Sequence, residues 1–119
     1  MTPTRVLVVD DEPDERALIV RHLRRLGCDV VDVPTAELAL DDEANLEVAV
    51  AFVDLRLPGM SGADLIDLLH RLRPSMGIVV TSVLDTDDYP PGDVWLPKPF
   101  TGDGVRQALT AALGVRQDR

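Results

Sequence analysis

Six residues of this sequence could act together as a small ionic site. Asp10 and Asp11 follow the apolar run 6–9, and Asp54 follows the run 48–53. Thr81 and Ser82 close the run 78–81, and Lys98 stands just beyond 93–96 in the stretch WLPKPF. Two carboxylates about 4 Å apart repel by roughly 4 kcal/mol at an effective dielectric near 20. That corresponds to about three pKa units. Three converging aspartates would therefore need counterions. One lysine offsets one charge and leaves room for a divalent cation; several carboxylate oxygens suit Mg²⁺, which is often bound alongside a phosphate. A carboxylate held this way can accept a phosphoryl group as a nucleophile, with the Thr81 hydroxyl and an ammonium on the phosphoryl oxygens. The chain has eleven arginines and a single lysine. A compact ammonium on a flexible stem can pair with a carboxylate and swing toward a phosphoryl oxygen, which a planar guanidinium does less well.

Taken singly, each residue also has an ordinary reading. Asp10-Asp11-Glu12 is a turn with a helix N-cap, Asp54 a strand end, Thr81 a packing residue and Lys98 a surface cation. The elements between them favour the joint reading. The β-branched run at 6–9 reads as a buried parallel strand. Pro13 opens a helix with Ile19, Leu23 and Leu26 on one face, stopped at Gly27. Residues 29–33 form a second strand and 35–43 a short helix. After the third strand, 48–53, Ser61 caps an apolar helix over 63–72, which Pro74 closes. Residues 78–81 and 93–96 are strands four and five, and Val105, Leu109 and Leu113 line a last helix before Gly114. Alternating strands and helices predict an α/β sandwich around a parallel sheet, whose ligands gather at the carboxyl ends of the strands. All six residues fall at those ends.

Composition narrows the partners. A chain of 119 residues with a net charge of −9 and no basic run is a globular domain without a nucleic-acid surface. The start, MTPTRVLVVDDEP, has only four apolar residues in a row before its acids, so it reads as neither signal peptide nor membrane span. The lone Cys28 predicts a reduced, cytoplasmic protein. His22 and His70 have no cysteine or second histidine at ligand spacing and read as solvated, which argues against zinc. There is no GxGxxG or GxxxxGK loop. Trp95 reads as partly buried.

The stretches VLVVDDEP, VDLRLPGMSG, VVTS and WLPKPF, in register along nearly the whole chain, resemble the receiver domain of two-component response regulators. The resemblance implies one domain over 1–119 with a flavodoxin-like, three-layer fold and strand order 2-1-3-4-5. It implies Asp54 as phosphoacceptor and Asp10 and Asp11 as the Mg²⁺-holding pair, with Asp11, Asp54 and the Arg56 carbonyl as direct ligands. Thr81 is then the hydroxyl that moves toward the phosphoryl group and Trp95 stands at the aromatic switch position. Lys98 is the lysine of a KP motif with a cis bond to Pro99. The implied role is a cytoplasmic phosphoacceptor, not an enzyme, that assists its own phosphorylation and dephosphorylation. Its partners would be a histidine kinase or phosphotransfer protein and an unnamed output protein, with no nucleic acid and no membrane.

Two positions depart from the family pattern. Trp95 replaces the usual tyrosine or phenylalanine. Residues 83–92, VLDTDDYPPG, stand where the family has its fourth helix, and their prolines and glycine predict a shortened or irregular segment. The chain ends six residues after Leu113, which favours a stand-alone regulator over a domain cut from a longer protein. Two other readings remain. A haloacid-dehalogenase-like phosphatase also uses an aspartate, Mg²⁺, a hydroxyl and a lysine, but wants an Asp-x-Asp where this chain has Asp10-Asp11-Glu12. A binding module that works without phosphorylation would not need every site residue.

Overall fold

The computed structural model describes residues 2–82 and 94–117, with side chains through 115; the expectation for 83–92 lies outside the described residues. Five strands form one sheet: β1 (Arg5–Val9), β2 (Asp29–Val33), β3 (Val50–Asp54), β4 (Gly77–Ser82) and β5 (Val94–Pro97). Their order is 2-1-3-4-5 and every pairing is parallel. Helices α1 (Pro13–Arg25), α2 (Ala36–Leu40), α3 (Gly62–Leu72) and α4 (Gly102–Gln117) cover the two faces. No helix among the described residues is long and apolar enough to cross a membrane.

Period-two alternation divides the core. Val6, Val8, Val50, Phe52 and Val79 face α1 and α4, meeting Ile19, Leu23, Val105 and Ala112. Leu7, Val9, Ala51, Val53, Ile78 and Val80 face α2 and α3, meeting Ala36, Ala39, Leu65 and Leu69. A strand covered on both faces has no solvent side, which is why β1, β3 and β4 read as unbroken apolar runs.

Several element bounds shift by a residue from the sequence reading, and three elements differ by more. Helix α2 stops at Leu40, because the Asp42 side chain accepts the Ala44 N–H at 2.9 Å and opens a separate 3-10 turn, Glu43–Leu46. Strand β3 begins two residues later and includes Asp54, which pairs with Thr81. Helix α4 runs through Gly114, its buried face of Val105, Ala108, Leu109 and Ala112 outweighing one poor helix former.

Capped turns and close packing shape the site end of the sheet. Glu12 is the N-cap of α1, its carboxylate accepting the N–H groups of Asp14 and Glu15 at 3.1 and 2.7 Å, and Pro13 follows at the first helical position. Ser61 caps α3 through the Asp64 N–H at 3.1 Å. Between β3 and α3, Gly59 turns the chain at φ 70°, and the Glu37 carboxylate accepts the Met60 N–H at 2.9 Å. Gly62 is required by space: a Cβ there would lie 2.0 Å from the Asp54 carbonyl oxygen.

Candidate functional site

The carboxyl ends of β1, β3, β4 and β5 meet at one edge. Asp10 follows β1 and its N–H donates to Val33 O of β2 at 3.2 Å. Asp54 ends β3 beside Thr81 in register. Lys98 follows β5 and its N–H donates to Ser82 O at 3.2 Å. Asp10, Asp54, Thr81 and Ser82 are all at most 3% exposed. The Lys98–Pro99 bond is cis, as expected.

The side chains close the arrangement. Lys98 Nζ donates to Asp54 Oδ2 at 3.0 Å and also pairs with the Glu15 carboxylate. Asp54 Oδ1 accepts the Arg56 N–H at 3.0 Å. Asp10 Oδ1 accepts the Glu12 N–H at 2.9 Å, while the Arg16 guanidinium donates to the Asp10 carbonyl oxygen at 2.8 Å and to the Asp32 carboxylate on β2 at 3.0 Å. Among the described residues, Asp10 Oδ2 is buried without a hydrogen-bond partner. One carboxylate oxygen each of Asp10, Glu15 and Asp54 lie within 4.8 Å of one another.

Three carboxylates around one ammonium leave an excess of negative charge, which adds to the effect of burial on Asp10. Burial pushes Asp10 up to about 6, against the Glu12 N–H and the Lys98 charge; the Asp54 and Glu15 charges push the same way. Burial alone would lower the Lys98 pKa. Its hydrogen bonds to Glu15 and Asp54, with the charges of Asp54 and Asp10, outweigh burial and hold it above the ordinary lysine value. A buried carboxylate oxygen with no donor, beside two more carboxylates, fits an oxygen-loving divalent cation.

The edge unites Asp10, Asp54, Thr81, Ser82 and Lys98. Asp11 is exposed and lies outside the group of three acids. Arg56 is exposed and meets Asp54 through its backbone. Trp95 is 45% exposed, so over half of it is covered. His22 and His70 are half-buried rather than solvated; a Cβ at Gly102 would meet His22 Nδ1 at 3.1 Å, where α1 packs on α4. Glu15 was missed, because in sequence it is one more acid in a helix's first turn. The signal that could have found it is its position, one helical turn beyond Asp11 on the helix that leaves the site.

Comparison with known proteins gives one consistent answer. The sequence model described as the response regulator receiver domain matches residues 6–91. The DNA-binding response regulator MtrA of Mycolicibacterium smegmatis is 34% identical across 96% of this chain and 52% of its own length. The cyclic di-GMP phosphodiesterase of Thermotoga maritima is 31% identical across 93% of this chain and 31% of its own. The chain thus spans about half or less of these relatives. In fold it is similar to the CheY-like receiver domain protein of Methanospirillum hungatei JF-1, with a TM-score of 0.85, 23% identity and 98% of each chain covered.

Proposed function

The chain belongs to the response regulator receiver domain family, and from that premise we propose that Asp54 is its phosphoacceptor. The observation that carries this reading is the Lys98 ammonium on Asp54 Oδ2 at 3.0 Å, beside the unpartnered Asp10 oxygen. Asp10, Asp11, Asp54 and the Arg56 carbonyl would hold Mg²⁺. When bound, it supplies positive charge that offsets the carboxylates and those of the incoming phosphate.

A carboxylate oxygen of Asp54 forms a bond to phosphorus as the bond from phosphorus to the donor breaks, and the electron pair leaves with the donor. The donor is a phosphohistidine on a histidine kinase or phosphotransfer protein, encountered in the cytoplasm. Lys98 gives up Asp54 Oδ2 for a phosphoryl oxygen. Thr81, the register partner of Asp54, is placed to donate its hydroxyl to another. The Arg56 N–H fixes the Asp54 carboxylate so that the group is received in one orientation. Trp95, across from Val80 on β4, would report the change at the surface that the output partner reads.

Treatment with acetyl phosphate and Mg²⁺ should raise the intact mass by one phosphate in the wild type, and leave Asp54→Asn and the Mg²⁺-free sample unchanged. Equal labelling of Asp54→Asn would sink the assignment.

A further inference from the structure

Glu15 belongs to none of the motifs that led to the site, yet its carboxylate sits in it. It leaves α1 from a fixed point, since its own N–H donates to the Glu12 carboxylate at 2.7 Å. From there it crosses to Lys98, 83 residues away in sequence. The Lys98 side chain is 13% exposed and is shared between the side chains of Glu15, 35% exposed, and Asp54, 4% exposed. The Glu15 carboxylate therefore holds one donor of the ammonium and lies within 4.8 Å of the acids that would surround a phosphoryl group.

We propose that Glu15 is a positioning residue that acts through Lys98 and competes with the phosphoryl group for it. This rests on the reading of Asp54 as phosphoacceptor. An ammonium with a second carboxylate already on it presents less charge to a phosphoryl oxygen. The Glu15 charge also repels the new anion across a short, partly buried distance. Together they favour the unphosphorylated state. Glu15 thereby sets how readily the site fills, while Asp54 and Lys98 determine whether it can fill at all.

The test compares binding of beryllofluoride, an anion that mimics a phosphoryl group on a carboxylate, at saturating Mg²⁺. Glu15→Gln keeps the shape and removes the charge. It should bind about tenfold tighter than wild type, equivalent to ~1.4 kcal/mol; the gain is modest because Glu15 is a third exposed. Asp14→Asn, which removes an exposed charge from the same helical turn, should bind like wild type. Because Lys98 is the chain's one lysine, lysine-labelled protein gives a single side-chain NMR signal. That signal should differ between wild type and Glu15→Gln when free and converge when both are bound. Unchanged or weaker binding by Glu15→Gln, with normal binding by wild type, overturns the competition and leaves the phosphoacceptor reading intact. A wild type that fails to bind, or an Asp54→Asn variant that binds as wild type does, overturns both.

Discussion

Val9 and Asp10 are neighbours at the carboxyl end of an inner strand with almost the same exposure, 0% and 1%, and Val53 and Asp54 repeat the pair at 0% and 3%. The sheet treats all four alike, withdrawing them from water on both faces. For the valines this is the main source of stability, roughly 1.5–3 kcal/mol for a fully buried side chain. For Asp10 the same burial opposes ionisation and pushes its pKa up to about 6. One geometry thus does opposite things on either side of a single peptide bond. The strand interiors hold the carboxyl ends in an arrangement those ends would not adopt unaided.

Three substitutions test that contrast. The largest effect belongs to the interior: Phe52→Ala, at a site 1% exposed, should cost about 3–5 kcal/mol in urea unfolding. A loss under about 1 kcal/mol would mean the strand interiors carry less than the contrast demands.

Asp10→Asn should act in the other direction. Asp10 has a folded pKa of about 6 against an ordinary 3.8, so the folded chain binds this proton more tightly than the unfolded one. Its contribution is therefore fully favourable below about pH 4, falls as pH rises to about 6, and stays lowered above. Asp10→Asn should flatten that window and stabilise the Mg²⁺-free protein near neutral pH by up to about 3 kcal/mol. It should also shrink the gain in melting temperature on adding Mg²⁺. A variant less stable than wild type at neutral pH would show that the buried carboxylate is satisfied in a way the geometry does not reveal.

Lys98→Arg should change stability least, by under about 1 kcal/mol, because the charge beside Asp54 and Glu15 is kept. Its response to beryllofluoride should nonetheless weaken, since a planar fork replaces a compact donor shared by two carboxylates. A wild-type response would show that the site needs a positive charge beside Asp54 but not a compact ammonium.

The strands and the site edge were legible because their signals are local. Continuous runs such as residues 6–9 mark strands buried on both faces, and each ends in the polar residue that the sheet then delivers. Glu15 was not legible, since its role depends on a contact with Lys98 83 residues away. The end of α2 was missed for a different reason. Asp42 looks like any acid on a helix surface until its side chain is seen taking the Ala44 N–H. Gly114 misled in the opposite sense, because packing of the upstream face overrode a local stop signal.

The tight fit at Gly62 has a mechanical consequence. With the place of its missing Cβ only 2.0 Å from the Asp54 carbonyl and 2.6 Å from Leu55 Cα, and its N–H on Leu55 O at 3.1 Å, α3 is seated directly on the backbone of Asp54 and Leu55. No slack lies between them to absorb a displacement. A displacement of the Asp54 backbone would therefore press on α3 through main-chain contact, before any side chain need turn.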